Sequence, residues 1–494
     1  MLTSKARRAS TSTSNAPWEY RQETRPRAKR RAATLLAFAP LTFVLAYKLF
    51  NRQPDLLMAY GTGVFASTMA VMYLAFVHYK DPSCNPPHPD AEVNPLVSFM
   101  VAVKDDVAVI ESCVTSMLAQ DYANLEVIVV DDGSTDGTGA VLAELAANPR
   151  LRVITMPKNV GKKRALVEAA RVANGSLLAF TDSDSIIEPC AITRCVRAFA
   201  AEPELGGVSG HARALNSDYS WLTASQDVWY DGQFGVAKAA ETVFGAVTCV
   251  SGPLAVFRRE AILNYLPAWA NDRFLGREFR FATDRQLTGY VLCQLDVGAR
   301  LKLEHRGDPL VDNVDYVPRS WKVRYVRSAR AWTNVPSTRQ SFMRQQLRWK
   351  KSFIRNLCFT GKYYWRRAPL AAPLFYAHVI WVIVAPFMVA WHLIWLPLHA
   401  AFVPTLIYMC GVTLKGCVWG LAYRIQNPGD RRWRYRPVMS LVSLFLLSWL
   451  LPIAAVTVRR GTWRRPTADL GPSALAWVES THATNHARAE RTSK

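Results

Sequence analysis

The sequence lacks the features of a small secreted or zinc-stapled protein. Its nine cysteines include no CxxC pair and no repeated spacing, which argues against zinc sites and against a secreted disulfide framework. Acidic residues are also scarce, with 38 Asp and Glu against 60 Lys and Arg in 494 residues. A charge of +22 would suit a nucleic-acid-binding protein, but half of the residues are apolar and 16 are Trp. We therefore expect a membrane protein with basic cytosolic faces and no nucleic-acid partner.

The N-terminal region combines a basic arm with two apolar stretches. Residues 1–31 hold nine Lys or Arg among Ser, Thr and Pro, a composition that predicts a disordered cytosolic arm. Residues 32–80 contain apolar stretches at 32–50 and 56–79, each long enough to cross a bilayer. A cleaved signal peptide is the alternative, but no small-residue cleavage site is evident between the two stretches.

From residue 94 to residue 330 the pattern changes to that of an α/β domain. Short β-branched runs such as 125–130 and 177–181 alternate with helical stretches such as 139–147 and 163–172. This alternation predicts parallel strands joined by crossover helices.

The C-terminal part returns to membrane-like composition. Residues 331–368 include an amphipathic stretch, which we interpret as helices in the membrane interface. Residues 369–466 are predicted to form transmembrane segments, followed by a polar tail over 467–494. Three full spans would place Arg459–Arg465 outside the cell, against the positive-inside rule. One segment is therefore expected to be broken or re-entrant, with Pro452 as the suspected cause.

Two predicted strands end in acidic residues. Asp131 and Asp132 follow the first apolar run, and Asp182-Ser183-Asp184 follows the second. Ligands of open α/β sheets bind at the carboxyl ends of strands, so these acids are placed where a nucleotide and a hard cation could bind. Each motif alone could be a surface turn, but the pair at this spacing favours a site.

Three further motifs carry possible chemistry. Asn159–Arg164 is a glycine turn before a basic helix start, which favours phosphate but could also be a solvated helix end. Asp284 opens a predicted helix and is the best candidate for a general base, although helix capping would also explain it. Gln345, Arg348 and Trp349 place an amide, a guanidinium and an indole within little more than one turn, suited to a pyrophosphate and a sugar face.

The two acidic strand ends and the three further motifs, in their order along the chain, resemble those of the processive family-2 glycosyltransferases of the GT-A fold. GHARALN (210–216), SGPLAVFRRE (251–260), TDRQLT (283–288) and QQLRWKKSFIRN (345–356) are similar to hyaluronan synthases, with chitooligosaccharide synthases of nodulating bacteria as near relatives. The resemblance covers roughly residues 95–360. It implies an α/β GT-A glycosyltransferase domain inserted between N- and C-terminal transmembrane α-helices.

The resemblance also implies roles for individual residues. Asp284 would be the general base, and Asp184 the ligand of Mg²⁺ or Mn²⁺. Asp105 and Asp131 would help to hold uridine, while Lys162 would approach the diphosphate. The other implied substrate-binding positions are Asp182, Cys249, Ser251, Gly252, Pro253, Gln345, Arg348 and Trp349.

The chain also departs from that pattern. Val103-Lys104-Asp105 replaces the family's Tyr-Asn-Glu, and Thr283-Asp284 keeps the inferred base but lacks its acidic neighbour. About twenty extra residues occupy positions 303–325. Arg460–Arg464 resembles a rearranged form of the family's Trp-Gly-Thr-Arg gating element.

The resemblance predicts a processive inverting enzyme of the plasma (inner) membrane, multi-pass, with its catalytic domain in the cytosol. It would polymerise UDP-GlcNAc and UDP-GlcA into a hyaluronan-like β-linked polysaccharide and export the growing polysaccharide across the lipid bilayer. One alternative is a chitin-type synthase that uses UDP-GlcNAc only. The other is a non-catalytic export subunit that senses UDP-sugars.

Overall fold

The computed structural model describes residues 56–281, 283–367 and 369–460. Four predicted segments therefore lie outside the described residues. They are the basic arm (1–31), the first apolar stretch (32–50), most of the gating-like element (461–464) and the polar tail (467–494).

The described residues form a mixed sheet with helices on both faces. The strands are β1 Val97–Val103, β2 Leu125–Asp131, β3 Leu151–Thr155, β4 Leu177–Asp182, β5 Ser185–Ile187, β6 Leu205–Ala214, β7 Ala255–Arg258, β8 Arg273–Phe274, β9 Arg277–Glu278 and β10 Lys322–Thr333.

The helices follow in chain order. They are α1 Leu56–Tyr73, α2 Ile110–Leu118, α3 Thr138–Leu145, α4 Lys162–Val172, α5 Ala191–Ala201, α6 Trp221–Gly232, α7 Ala239–Val243, α8 Arg259–Ile262, α9 Leu266–Ala270, α10 Thr283–Leu292, α11 Gln294–Leu303, α12 Pro309–Asp312, α13 Arg339–Arg367, α14 Ala372–Ala390, α15 Leu396–Leu398, α16 Phe402–Gln426, α17 Tyr435–Phe445 and α18 Leu450–Thr457.

The main sheet has the order β3-β2-β1-β4-β7-β6-β10-β5. The prediction of parallel strands is confirmed for β3, β2, β1 and β4, but it is wrong for β7 and β5, which run antiparallel to their neighbours. Although only Ser183 and Asp184 separate β5 from β4, β5 pairs with the end of β10 at the edge of the sheet, and no crossover helix precedes it.

Both faces of the sheet are covered, which explains the near-continuous apolar runs. All seven residues of β1 are buried, as expected for a central strand packed on two sides. Ile110 of α2 and Phe199 of α5 belong to the hydrophobic cluster on one face, and Leu166 of α4 belongs to the cluster on the other. The two clusters hold the carboxyl ends of the strands at one rigid edge.

Three helices of the described residues are long and apolar enough to cross a membrane: Ala59–Cys84, Ala372–Leu398 and Phe402–Gln426. A further pair, Arg431–Phe445 and Leu447–Thr457, is bent by 43° and could form a fourth span. The predicted break in this region is therefore present.

The break does not lie at Pro452, however. It falls around Leu446, and Pro452 stands in the first turn of α18. A proline is tolerated there because the first N–H groups of a helix have no intrahelical partner.

The amphipathic helix α13 turns much of its polar side towards protein. Gln346, Arg355 and Asn356 are buried, and the Arg355 guanidinium contacts Asp272 at 2.6 Å.

The extra segment 303–325 is anchored to the α/β domain, because Arg171 pairs with Asp308 through two hydrogen bonds of 3.0 and 2.8 Å.

A buried ionic joint, formed by Asp227, Arg213 and Arg432, links the α/β domain to the loop between α16 and α17. The Asp227 carboxylate of α6 accepts hydrogen bonds from Arg213 at 2.8 and 2.6 Å and lies 3.0 Å from Arg432. Burial alone would raise the pKa of Asp227, but the two guanidinium groups hold it below its ordinary value. Asp430 also contacts Arg432, at 2.7 Å.

We expect Asp227→Asn to destabilise the protein by about 3 to 5 kcal/mol, because a fully buried carboxylate that pairs with two partly buried guanidinium groups would lose its charge. Thermal unfolding of the purified protein measures the loss. Glu304→Gln is the matched control, since Glu304 pairs with Arg300 on the surface and such pairs contribute little. Equal melting temperatures for the two variants would contradict the role of the joint.

Candidate active site

The strand-end acids lie side by side at one edge of the sheet. Val103 at the end of β1 pairs with Asp131, and Ala102 pairs with Asp182. Asp131 and Asp182 therefore flank the carboxyl end of β1. This register brings the two acidic motifs together although some fifty residues separate them.

Asp105 and Asp131 organise the loop that follows β2. Asp105 has φ +50°, and its Oδ1 accepts the Thr135 N–H at 2.8 Å. A hydrogen bond from Lys104 lowers the pKa of Asp105. Asp131 is 3% exposed, and its Oδ1 accepts the Ser134 N–H at 2.9 Å. The more exposed Asp105 is the better placed of the two to contact a ligand.

Asp132 positions the phosphate-favouring turn. Its carboxylate accepts the Val160 and Gly161 N–H groups at 2.6 and 2.9 Å. Burial raises the pKa of Asp132. The turn leads directly into α4, and there Lys162 forms an ion pair with Asp182. The basic residue singled out for the diphosphate thus lies against the first acid of the DxD triplet.

The two other members of the DxD triplet have separate partners. Ser183 Oγ donates to Asp106 Oδ2 at 2.5 Å, which connects the triplet to the loop after β1. Asp184 Oδ1 accepts a hydrogen bond from Thr333 Oγ1 at 3.2 Å. Asp184 is therefore held at the end of β10.

Asp284 and the DxD triplet both lie against the same glycine, Gly252. Its Oδ2 accepts the Gly252 N–H at 2.9 Å, and its Oδ1 accepts the Thr283 hydroxyl at 2.6 Å. A Cβ on Gly252 would lie 2.8 Å from Asp182 Oδ2. Gly252 therefore packs between the two carboxylates. Thr283, which stands where the family has a second acid, supplies a donor that orients Asp284.

The rest of this turn is tied to the sheet. Thr181 Oγ1 donates to the Pro253 carbonyl at 2.9 Å, and Cys249 Sγ lies 3.8 Å from Ser251 Oγ. Burial raises the pKa of the Cys249 thiol, so this cysteine is kept neutral beside the turn.

The residues of the QxxRW motif reach the same region through Tyr230. The Trp349 ring lies 6.0 Å from the Tyr230 ring and 5.9 Å from the Trp229 ring, between centroids. Gln345 lies one turn before Trp349 on α13, and the charges of Arg348, Asp184 and Asp182 act on the Tyr230 hydroxyl. Burial raises the pKa of this phenol. Every residue predicted for the site thus lies along this strand edge or on an element packed against it.

Sequence reasoning missed two buried polar residues of the site, Tyr230 and Lys238. Both are in the stretch 230–245. Neither is adjacent to an acidic motif, and only the packing of α6 and the following π-helical segment against the sheet reveals their position.

Gly252→Ala is expected to abolish most activity while leaving the protein folded, because the new methyl group would collide with the Asp182 carboxylate. Incorporation of labelled sugar by the purified variant provides the measurement. The control is Gly411→Ala, whose Cβ would meet no atom within 4 Å. Wild-type turnover in Gly252→Ala would show that the two carboxylates do not need this spacing.

Comparison with known proteins agrees with this geometry. Residues 98–266 match the family model described as Glycosyl transferase family 2. An N-acetylglucosaminyltransferase of Mesorhizobium japonicum is 34% identical over 59% of this chain and 65% of its own length. One from Sinorhizobium fredii is 35% identical over 51% of this chain and 55% of the relative. The match thus covers between 55% and 65% of the length of these two relatives.

A third relative and a solved structure extend over more of the chain. An N-acetylglucosaminyltransferase of Neorhizobium galegae is 29% identical over 84% of this chain and 90% of its own length. The mannosyltransferase PcManGT of Pyrobaculum calidifontis, solved with GDP-Man and Mn²⁺, has a TM-score of 0.47 and 18% identity, and covers 81% of this chain and 98% of its own.

The prediction of an enzyme is confirmed, and the relatives match its chitooligosaccharide-type alternative more closely than its hyaluronan-type one. Residues 98–266, which build most of this GT-A-like mixed sheet, are thus similar to the family-2 glycosyltransferases.

Proposed function

We propose that this protein is an inverting N-acetylglucosaminyltransferase that builds a chitooligosaccharide-type β-linked glycan from UDP-GlcNAc. The observation that carries the proposal is the meeting of Asp182, Gly252 and Asp284 at one point. The names of the bacterial relatives support GlcNAc as the sugar. The whole glycan-building activity is part of the proposal.

In this mechanism, Asp284 takes the proton of the acceptor hydroxyl as that oxygen attacks the anomeric carbon. Both carboxylate oxygens already accept one hydrogen bond each, from Gly252 and Thr283, so the group is held in one orientation. Lys162 and Arg348 supply positive charge for the departing UDP. One displacement inverts the anomeric centre and gives a β-linkage from an α-linked donor.

A divalent cation fits the donor set of the DxD triplet. Asp182 and Asp184 offer hard carboxylate oxygens, which Mg²⁺ and Mn²⁺ prefer. No cluster of three or more His, Cys, Asp or Glu that could hold a metal is found in the part of the chain that the structure describes. Asp184, with Asp182 two residues before it, would hold such a cation. When bound, it would neutralise charge on the diphosphate.

Trp349 and Cys249 are proposed to face the acceptor sugar. The indole lies among Trp229 and Tyr230, and aromatic faces suit the C–H faces of sugars. Gln345 Oε1 is buried without a hydrogen-bond partner among the described residues, so it remains able to accept a sugar hydroxyl or amide proton.

We also propose a multi-pass membrane protein whose catalytic domain faces the cytosol. The apolar helices Ala59–Cys84, Ala372–Leu398 and Phe402–Gln426 support this arrangement. The loop that follows Gln426 carries Arg431, Arg432 and Arg434, and the positive-inside rule places such loops in the cytosol. The glycan would leave through the C-terminal helices, since its hydroxyl groups are costly to desolvate in lipid.

A hyaluronan-type product, made from UDP-GlcNAc and UDP-GlcA, is the second candidate. The motifs at 210–216, 251–260, 283–288 and 345–356 support it, because they are similar to those of hyaluronan synthases.

Replacement of the base tests the reaction itself. We expect Asp284→Asn to lower the rate about 10²- to 10⁴-fold, while UDP binding is retained because Lys162 and Arg348 are unchanged. UDP release and calorimetric binding of UDP provide the two measurements. Near-normal glycan synthesis by Asp284→Asn would remove Asp284 from this role.

The donor requirement separates the two candidate products. With UDP-GlcNAc alone, the purified protein is expected to form a glycan that chitinase digests and hyaluronan-specific lyase leaves intact. The control is the same reaction with UDP-GlcA added. Synthesis that requires both donors and yields a lyase-sensitive product would contradict the GlcNAc-only proposal and establish the hyaluronan-type alternative.

A further inference from the structure

Lys238 has no part in the proposed mechanism, yet it is buried next to the site. It ends the π-helical segment Gln233–Lys238 and is 8% exposed. Its Nζ donates to Ser209 Oγ at 2.9 Å and to Ser251 Oγ at 2.5 Å, and lies 3.9 Å from the centroid of the Phe234 ring. The partners of this ammonium are thus two neutral hydroxyls and an aromatic face.

These contacts fix the turn that touches the proposed base. Ser251 is held twice, because its backbone N–H also donates to Ser209 Oγ at 3.3 Å. The next residue, Gly252, donates its N–H to Asp284 Oδ2 at 2.9 Å. A short series of hydrogen bonds therefore runs from the buried ammonium to the carboxylate of Asp284.

We propose that Lys238 is a positioning residue for glycosyl transfer: by holding Ser251 it fixes the Gly252 N–H that orients Asp284. This role presupposes the proposed function of Asp284 as the general base. Lys238 touches neither donor nor acceptor in this proposal, and it acts only through the turn.

The protonation state of Lys238 bears on this role. Burial lowers its pKa to about 8; Cys249, Glu241 and Asp284 raise the pKa again, while the nearby Arg285 lowers it. A charged ammonium donates a stronger hydrogen bond than a neutral amine. Its hold on Ser251 is therefore expected to weaken as the pH rises through about 8.

Activity and stability should then change in opposite directions. The pKa of Lys238 is lower in the folded protein than its ordinary value, so between about pH 8 and pH 10 the unfolded chain binds more protons than the folded one. This site consequently adds stability as the pH rises through that window. A lysine with a purely structural role would give that gain in stability without a loss of activity.

The test uses the full-length protein in detergent or lipid discs, with Lys238→Met and Lys238→Arg. We expect Lys238→Met to lower kcat about tenfold or more with little change in KM or in UDP affinity, as for the loss of one orienting interaction. Lys238→Arg should restore kcat, and it should abolish the loss of activity near pH 8 because arginine stays charged.

Two controls separate this role from general effects. Lys302→Met is the matched substitution, because Lys302 pairs with Asp315 away from the site, and it should leave kcat unchanged. Lys163 also has a pKa of about 8, lowered by burial, so an inflection near pH 8 that survives in Lys238→Arg would belong to another group and would overturn the proposal.

Combination with Asp284→Asn distinguishes the two proposals. If Lys238 acts through Asp284, the double variant should be no slower than Asp284→Asn alone. A double variant that is slower than Asp284→Asn would overturn the positioning role and leave the base assignment intact. A wild-type kcat and pH profile in Lys238→Met would do the same. Wild-type synthesis by Asp284→Asn would overturn the base assignment, and the positioning role with it. If Lys238→Met does not fold, the pH profile of Lys238→Arg decides.

Discussion

The site depends on the absence of a side chain at position 252. The backbone of Gly252 fits between the carboxylates of Asp182 and Asp284, donates its N–H to one and leaves no room for a Cβ beside the other. Lys162 pairs with the first acid, and the Thr283 hydroxyl contacts the second. The strands and helices around them keep this spacing fixed.

The apolar helices are joined to the same architecture rather than attached at a distance. Asp227 and Arg432 connect α6 to the loop between α16 and α17, and α6 also carries the two aromatic residues that contact Trp349. On the other side, Arg355 binds Asp272. The helix with the QxxRW motif is thus held between the α/β domain and the apolar helices.

Much of the site was predictable from local sequence, because several of its residues stand at the ends of strands. Asp131 and Asp182 follow unmistakable apolar strands, and the pairing of both strands with β1 places them together. Asp284 was identifiable as an acid at a helix start. The antiparallel direction of β7 was not predictable, since the same apolar pattern fits either direction. The sequence prediction placed the helix break at Pro452 instead of near Leu446. A proline breaks a helix only in the helix interior, and Pro452 lies in the first turn of α18.

Residues that act through long-range contacts could not be read from the sequence. Lys238 and Ser209 are far apart in the chain, and neither belongs to a motif with a recognisable spacing. Tyr230 likewise becomes part of the site only where α6 packs beside α13. Such positions depend on how the helical segment after β6 folds back onto the sheet, which no periodicity or composition specifies.

A structure of the protein with UDP-GlcNAc and Mn²⁺, in the Asp284→Asn form that binds without turnover, would test the central claim most directly. The account predicts that the diphosphate lies against Lys162 and the DxD triplet, with the anomeric carbon facing the side chain at position 284 across the Gly252 turn. A nucleotide sugar bound elsewhere, or one whose anomeric carbon faces away from position 284, would contradict it.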